Sequence, residues 1–401
     1  MGGPLEGVRV LEVANWLAAP ATAALMADMG AEVIKVEPPD GDPWRHYRLK
    51  SDGSVPDFAI NYAFEIDNRG KRSIVLNLSK NEAREVVHEL ARNADVFVTN
   101  LVPARLDRYH LNYEDLSTGN SRLIYASFSA YGNNGPDKDR LGFDYSAFWA
   151  RSGLMSLTRE SDTLPVLLRG GMGDHASCLA LIAGILAALY ERERTGKGQE
   201  LSASLLNVGL WVLGCDLQLA LVERHNPPID SRSTRSPIFN NYRTKDGKWL
   251  MLTNPNPDVY WPKVCAALGH PNLVDDPGYQ TVEQIIEHSS ELVALFDGTF
   301  ATKTLNEWAR ILDQHEVIWA PVQELTEVIK DPQIEANKYF TTVEHPIVGE
   351  YETIDTPIRF KSGEVRAKGP APQIGQHTEE VLLEHNYTWD QISALREVGA
   401  I

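Results

Sequence analysis

VRVLEVANWLAAPATAALMADMGAEVIKVEPP, residues 8–39, is the stretch that decides the fold class. The segments 8–14 and 31–39 are rich in valine and isoleucine, which favour β-strands. Between them, 20–30 begins with proline and ends with glycine, residues that commonly start and end a helix. Prolines stop the second strand. A strand, a helix and a second strand in this order predict a right-handed crossover between parallel strands.

The alternation of strands and helices continues beyond residue 39. Strands are predicted at 72–79, 95–101 and 123–132, with a helix at 81–94. The strands are short apolar runs, which are typical of a sheet covered on both faces. We therefore expect an α/β fold with a Rossmann-like, mainly parallel sheet in a large domain that spans residues 1–225.

The character of the sequence changes near residue 225. The polar, proline-containing segment 223–237 indicates a linker, and 241–253 predicts a hairpin with Asp246-Gly247 at its turn. We assign a smaller α+β domain to 226–330 and a C-terminal segment, expected to return to the large domain, to 331–401. The other elements predicted here are helices at 258–269 and 291–301, extended chain at 345–363 and a helix at 377–386.

The composition indicates a globular protein with reduced thiols. The 401 residues carry a net charge of −17, which argues against nucleic-acid partners and anionic membrane surfaces. An odd number of widely spaced cysteines (Cys178, Cys215 and Cys265) predicts neither a disulfide frame nor a metal site. The uncharged stretches 176–190 and 201–215 are shorter than the ~18–20 residues of a spanning helix, so we expect buried core helices. No signal peptide is recognised, and we expect a cytoplasmic protein.

Motifs for permanently bound cofactors are missing from the sequence. The first strand runs into NWLAAP (15–20), without the glycine-rich turn that holds a dinucleotide pyrophosphate. The Walker A, H-E-x-x-H and G-x-S-x-G patterns are also absent. We expect no permanently bound cofactor and no NAD.

A single aspartate, Asp174, precedes a long uncharged run in LLRGGMGDHASCLALIAGILAAL (167–189). Aspartate is a favoured N-cap residue, so Asp174 could simply cap a buried helix. A cap does not require the glycines at 170, 171 and 173, which let a ligand approach the backbone closely. The residues alone leave a cap and a reactive group both open.

Seven segments of the chain form a recognisable set. They are LEGVRVLEV (5–13), MGAEVIKVEPPDGDPWR (29–45), NRGKRSIVLNL (68–78), ADVFVTNLVPARLDRYHL (94–111), GDHASCLALIAGILAALYERERTGKGQ (173–199), YRTKDGKWLML (242–252) and PAPQIGQHTEEVL (370–382). In this order they resemble the class III CoA-transferases, the family of formyl-CoA:oxalate and crotonobetainyl-CoA:carnitine CoA-transferases, which also contains α-methylacyl-CoA racemases. The resemblance covers nearly the whole chain.

The resemblance implies that Asp174 is a nucleophile. A carboxylate is ordinarily ionised at neutral pH and would attack the acyl-CoA thioester without a partner base. The product would be a mixed anhydride, which the CoA thiolate converts to an aspartyl-CoA thioester before CoA passes to an acceptor acid. Backbone amides at Gly171 and Gly173 are expected to stabilise the tetrahedral intermediates. The family also implies an interlocked homodimer, in which each chain threads through the ring of the other.

The resemblance further implies a set of CoA contacts. Residues 15–18 correspond to the segment that passes the pantetheine arm, and basic residues to segments that meet the adenine and phosphates. The expected contacts are Asn15, Leu17, Ala18, Lys71, Arg72, Asn100, Arg105, Arg108 and Tyr131. Two positions, Pro38 and Ser129, depart from basic contacts of the formyl-CoA enzyme, so its oxalate specificity is not carried over.

Two alternative functions remain. A racemase needs a histidine where this chain has Phe143, in the turn Gly142-Phe143-Asp144, and His175 would point about 100° away from Asp174 on a helix. A non-catalytic acyl-CoA-binding protein of the same fold is the second alternative. The arginines near the linker, Arg232, Arg235 and Arg243, could meet a second substrate carboxylate or simply be solvated. Cys178 is expected in the core and His377 at a helix start.

Overall fold

A computed structural model of the chain describes residues 2–47, 58–161, 163–229 and 231–401. Two compact units are present. The first contains residues 1–156, 167–223 and 337–401, and the second contains residues 157–166 and 224–336.

The first unit is built on a six-stranded parallel sheet with the strand order β3-β2-β1-β4-β5-β6. Its elements in chain order are β1 (Arg9–Val13), α1 (Ala18–Asp28), β2 (Glu32–Glu37), α2 (Tyr62–Asn68), β3 (Arg72–Val75), α3 (Asn81–Asn93), β4 (Val96–Thr99), α4 (Pro103–Tyr109), α5 (Tyr113–Ser117), β5 (Ile124–Ser129), α6 (Leu154–Leu157), α7 (Met172–Thr195), β6 (Gln199–Ser204), α8 (Leu205–Val212) and α9 (Gly214–Glu223). The predicted α/β class and mainly parallel sheet are confirmed.

Both faces of this sheet are covered, as the apolar strands predict. Val10 of β1 packs in a core cluster with α1 and α7, whereas Leu11 points to a second cluster with α3. The strand order reverses between β1 and β4, because β1 pairs with β2 on one side and with β4 on the other. Ligands of open parallel sheets bind at the carboxyl ends of the strands beside such a reversal.

The predicted helix at 201–215 is wrong in its first part. Residues Gln199–Ser204 form β6, which is parallel to β5, and α8 begins only at Leu205. The strand alternates intermediate and exposed positions, the period of a half-covered edge strand. Helix α8 lies within the predicted range and buries Leu205, Val208 and Gly209, whereas α9, which shares only residues 214 and 215 with it, contains no buried residue.

Helix α7 has the length and apolar composition that a membrane-spanning helix would need. The core of a folded domain explains the same composition. One face of α7, with Leu181, Ile182 and Ile185, is buried in the cluster that contains α1. The prediction of a core helix at 176–190 therefore holds for this face.

The second unit contains a three-stranded antiparallel sheet of order β7-β8-β9. Its elements are β7 (Asn241–Arg243), β8 (Trp249–Leu252), α10 (Pro257–Leu268), α11 (Val282–Glu287), α12 (Ser289–Phe300), α13 (Leu305–Gln314), β9 (Trp319–Val322), α14 (Leu325–Val328) and α15 (Pro332–Asn337). The predicted hairpin is present, and Gly247 in its turn has a φ of 80°. Tyr242 and Phe300 stack in its core.

Residues 157–166 belong to the second unit, although the sequence analysis left them in the large domain. Contacts distant in sequence explain the difference. Glu160 accepts a hydrogen bond from the backbone N–H of Arg232 and pairs with Arg235 at 3.6 Å.

The C-terminal residues of the first unit contain β10 (Phe340–His345), β11 (Gly349–Ile354), α16 (Thr378–Glu384) and α17 (Trp389–Glu397). Strands β10 and β11 form an antiparallel hairpin that begins five residues before the segment 345–363 predicted as extended chain, which contains all of β11. His377 directly precedes α16, and its backbone N–H donates to the carbonyl of Ser73 in β3 at 2.9 Å.

Candidate active site

Asp174 lies in the first turn of α7, but it is not the N-cap of that helix. The N-cap is Gly171, whose φ of 85° lies in the left-handed region, and the helix begins at Met172. A side chain at position 171 would be strained there, which explains one of the glycines. The cap interpretation of Asp174 is therefore wrong, and another role must account for its position.

Asp144 holds the turn that carries Asp174. Its Oδ2 accepts a hydrogen bond from the N–H of Gly171 at 2.6 Å, and its Oδ1 accepts one from Gly173 at 3.1 Å. A Cβ added to Gly173 would lie 2.2 Å from Asp144 Oδ1 and 2.3 Å from Phe148 Cγ, so only glycine fits. Both amides expected to stabilise an oxyanion are thus occupied by Asp144, and the structure does not support that role for Gly171 and Gly173.

The surroundings of Asp174 disfavour its charged form. Burial, and then the nearby carboxylates of Asp144 and Asp67, raise the pKa of Asp174 to about 7, while His175 opposes the shift. The sequence-based expectation of a fully ionised carboxylate at neutral pH therefore needs correction. At pH 7 the protonated and ionised forms of Asp174 coexist.

His175 pairs with Asp67, a residue that the sequence analysis did not identify. The distance between His175 Nε2 and Asp67 Oδ1 is 2.9 Å, and the indole N–H of Trp44 donates to Asp67 Oδ2 at 3.1 Å. The hydrogen bond with Asp67 raises the pKa of His175. Asp67 lies in the last turn of α2, over a hundred positions from His175 in sequence, so no local pattern could reveal the pair.

A cavity of about 190 Å³ opens beside Asp174, at the carboxyl ends of β1, β4 and β5. Most of the predicted CoA-binding residues that follow these strands line this cavity. Asn15 and Asn100 join the two loops, because Asn15 N–H donates to Asn100 Oδ1 at 3.0 Å. The predicted residues that line the cavity are Asn15, Leu17, Ala18, Asn100, Arg105 and Asp174, together with Ser129.

Two basic residues of this cavity were missed by sequence reasoning. Lys138 and Arg140 line it together with Arg105. The sequence did contain a signal for them, because both lie in the loop after the predicted strand β5, at the same sheet edge as the other expected CoA contacts. A second cavity, of about 160 Å³, shares Asn15 and Arg105 with the first and also contains Pro38. The three cations supply the local positive charge that an acidic protein needs to bind phosphates.

Lys71 and Arg72, expected to meet CoA, line neither cavity. The Lys71 ammonium is buried, pairs with Glu12 Oε2 at 2.7 Å and donates to the Pro20 carbonyl. Arg72 pairs with three carboxylates, those of Glu32, Glu380 and Glu384. These partners already pair both cations, so the structure gives Lys71 and Arg72 a structural role, and their predicted contact with CoA stays a prediction.

The remaining candidates also lie outside the cavity. Arg108 and Tyr131 do not line it, and the Tyr131 ring is covered by Arg151 at 4.8 Å. In the second unit, Arg232 pairs with Asp297 and donates to Asn241, which gives it a structural role. Arg243 donates to the Gly247 carbonyl at 3.3 Å. Among the described residues, no group of three or more His, Cys, Asp or Glu side chains is placed to hold a metal.

Comparisons with known proteins agree with this geometry. The chain is 34% identical over 395 residues to the cinnamoyl-CoA:phenyllactate CoA-transferase of Clostridium sporogenes, covering 98% of this chain and 96% of that protein. It is 32% identical over 395 residues to the (R)-2-hydroxy-4-methylpentanoate CoA-transferase of Clostridioides difficile, covering 98% of each. A solved CAIB/BAIF family protein from Brucella suis superposes with a TM-score of 0.82 at 28% identity, covering 96% of this chain and all of that one.

The family model extends these pairwise similarities along the chain. Residues 5–378 match the model of CoA-transferase family III, a span that includes the Asp174 turn and the cavity beside it. The protein therefore belongs to CoA-transferase family III and is an enzyme of acyl-CoA metabolism that transfers CoA between acids.

Proposed function

We propose that Asp174 is the nucleophile that moves CoA from an acyl-CoA thioester to a free carboxylic acid. The observation that carries the proposal is its position. Asp174 is the only carboxylate among the described residues that line the basic cavity, and the turn that holds it is fixed by Asp144. A nucleophile held in place next to a binding site for an anionic substrate fits covalent catalysis.

The reaction has balanced steps. An Asp174 oxygen attacks the thioester carbonyl, the C–S bond breaks, and a mixed anhydride and CoA thiolate form. The thiolate then attacks the Asp174 carbonyl carbon, which releases the donor acid and leaves an aspartyl-CoA thioester. The acceptor carboxylate attacks this thioester and forms a second anhydride, whose acyl carbon takes up the thiolate. Asp174 is regenerated as a carboxylate, and no net proton is consumed.

The proposed path of CoA follows the two cavities. The pantetheine arm passes residues 15–18, and the phosphates meet Arg105, Lys138 and Arg140. CoA is a substrate in this scheme, and the reaction requires no resident cofactor. The donor and acceptor are an acyl-CoA and a small carboxylic acid. The name of the Clostridium sporogenes relative contains both classes, and that of the Clostridioides difficile relative contains a carboxylic acid.

The α-carbon of the acyl group is not expected to exchange its proton. Phe143 occupies the position of the racemase histidine and packs edge-to-face against Trp16. A phenyl ring has no group that can accept or donate a proton in catalysis, and His175 is hydrogen-bonded to Asp67. Incubation of a 2-methylacyl-CoA in D2O tests this, and Asp174-dependent deuterium incorporation at the α-carbon would reassign the enzyme as a racemase.

Substitution and trapping test the nucleophile itself. Asp174→Asn and Asp174→Ala are expected to lower CoA exchange about a thousandfold or more, because neither side chain forms an anhydride. Asp390→Asn is the matched control, since Asp390 is an exposed acid in the first turn of α17. Hydroxylamine added with acyl-CoA should leave a hydroxamate on Asp174 that mass spectrometry detects. An active Asp174→Asn enzyme together with unmodified Asp174 would refute the proposal.

We also propose a cytoplasmic homodimer. Helix α9 has no buried residue and its Val222 is 71% exposed, while Trp211 of the preceding helix α8 is 84% exposed. Exposed apolar helices of this kind commonly mark a subunit interface. If the chains interlock as the family resemblance implies, dissociation must be coupled to unfolding. A folded monomer at low concentration in light scattering would exclude an interlocked dimer, and cell fractionation tests the location.

A further inference from the structure

Two aromatic side chains form one wall of the cavity beside Asp174. Trp16 and Phe143 both line the cavity, and their ring centroids lie 5.1 Å apart at an interplanar angle of 80°. The Phe143 side chain remains 52% exposed although it is large and apolar. An edge-to-face aromatic pair with an open face is suited to receive another apolar group.

The fold places this aromatic wall next to the nucleophile. Phe143 precedes Asp144, whose carboxylate is bonded to the amides on either side of Met172, in the turn that carries Asp174. Trp16 precedes Leu17, whose Cδ2 would lie 3.3 Å from a Cβ added to Gly171. Two separate loops therefore bring the two rings to the same turn.

The position of Trp16 is held by buried charges. Its φ of 68° is unusual for a bulky residue, and strain of this kind is often found at functional sites. The Trp16 backbone N–H donates to Asp42 Oδ1 at 3.0 Å, and Asp42 Oδ2 accepts from the fully buried Lys35 ammonium at 2.9 Å. Lys35 is held in turn by Glu12 at 2.7 Å.

More aromatic surface continues from the wall. Tyr47 lies 6.3 Å from Trp16 and stacks on Trp44 with a centroid distance of 5.1 Å. Tyr47 is 45% exposed. The aromatic surface beside the nucleophile is thus larger than a two-carbon acyl group can cover.

We propose that the wall formed by Trp16 and Phe143 is the acyl subsite, and that it selects bulky apolar acyl groups, aryl-alkyl or branched-chain, over short or dicarboxylic ones. The inference rests on the proposed function in one respect, because it takes the thioester carbon to be presented to Asp174. Bulky apolar groups gain from burial against the rings. A second carboxylate placed against the rings would lose its hydration, and the cations of the cavity (Arg105, Lys138 and Arg140) are assigned to the CoA phosphates in the proposed path.

The test uses CoA thioethers, which Asp174 cannot cleave, so that binding is measured separately from turnover. Isothermal titration is performed with S-(3-phenylpropyl)-CoA, S-(3-methylbutyl)-CoA, S-ethyl-CoA and S-(3-carboxypropyl)-CoA. The first two are expected to bind about tenfold or more tightly than the last two, the effect of burying an apolar group of this size. Trp16→Ala and Phe143→Ala should remove most of this advantage, measured as the affinity of each thioether relative to that of S-ethyl-CoA for the same variant. Phe143→Ala, which lies outside the proposed pantetheine path, should also leave the affinity for S-ethyl-CoA within about threefold.

Trp389→Ala, which removes a 57% exposed indole on α17, is the matched control and should retain the preference. Equal affinity of the wild-type protein for all four thioethers would overturn the inference, as would an unchanged preference in folded Trp16→Ala and Phe143→Ala proteins. Failure of the proposed function gives a different result: the thioether preference is present, yet no acid pair exchanges CoA and no Asp174 adduct forms.

Discussion

Two regions of the first unit, the segments that follow β4 and β5 and the start of the edge strand β3, contain the same kinds of basic residue in opposite situations. Arg105 and Lys138 line an open cavity, and among the described residues neither has a carboxylate within ion-pair distance. Lys71 and Arg72, by contrast, are paired with Glu12 and with a group of three further glutamates. A cation whose charge is already satisfied has little to offer a phosphate, whereas an unpaired one at a cavity can bind it.

The two acids of the site differ in the same way. Asp144 accepts two backbone hydrogen bonds, which oppose the rise of its pKa on burial. Asp174 has two carboxylates nearby in addition to burial, and its pKa is raised to about 7. The satisfied acid holds the turn, and the unsatisfied acid is available for reaction. Both side chains are aspartates, so the hydrogen-bond donors and charges around each one, and not the residue type, decide whether it has a structural or a reactive role.

Asp144→Ala tests the satisfied member of the pair and should have the largest effect after replacement of Asp174 itself. It leaves two buried amides without an acceptor, so the free energy of unfolding should fall by about 2 kcal/mol. The Asp174 turn should also move, which we expect to lower kcat about a hundredfold. Urea unfolding and CoA-exchange kinetics measure both changes, with Asp390→Ala as the control. Full activity in a destabilised Asp144→Ala protein would show that Asp144 does not position Asp174.

The pH dependence of exchange tests the unsatisfied member. In the proposed mechanism the ionised form of Asp174 is the nucleophile, and its surroundings raise the pKa of Asp174 to about 7. The value of kcat/KM should therefore rise about tenfold between pH 6 and pH 8 and then level off. His175→Gln removes an opposing positive charge and should move the midpoint to higher pH. A profile that is flat from pH 5 to pH 8 would contradict the raised pKa.

Replacing one cation from each region by alanine compares the two regions directly, and the expected effect on activity is smaller. Arg105→Ala should raise the KM for acyl-CoA about fivefold, the effect of losing one partly exposed ionic contact, and should leave kcat nearly unchanged. Arg72→Ala should leave KM unchanged, because its guanidinium is already paired with Glu380 and Glu384. Steady-state kinetics at two salt concentrations distinguishes them, and equal effects on KM would remove the contrast between the regions.

The smallest effect is expected for the free energy of unfolding of Asp174→Asn relative to the wild-type protein. The pKa of Asp174 is raised in the folded state, so the stabilisation that its proton provides at low pH is lost as the pH rises through about 7. Asp174→Asn keeps the shape without the charge and should be more stable than wild type at pH 8 by about 1 kcal/mol or more. The difference should vanish near pH 4. A less stable variant at pH 8 would mean that the charged form of Asp174 is favoured by the fold.

Much of the fold could be predicted because its signals are local. The alternation of apolar strands and helices from residue 8 onward depends on neighbours a few positions apart, and it correctly predicts β1 to β5. Strand β6 was missed because its residues alternate between intermediate and exposed positions at a sheet edge, beside a helix whose apolar sequence suggests one continuous core helix. At edges, the neighbouring element decides between helix and strand.

The sequence by itself determined the α/β class, the family resemblance and the importance of Asp174 with its glycines. Only the tertiary structure decided which charged residues are free to act. Asp144 meets Gly171 across 27 positions, His175 meets Asp67 across 108, and Arg72 meets Glu384 across 312. Residues that are neighbours in the sequence do not indicate such distant partners. Their hydrogen bonds and charges nevertheless determine pKa values and availability, because electrostatic effects depend on distance in space and on burial.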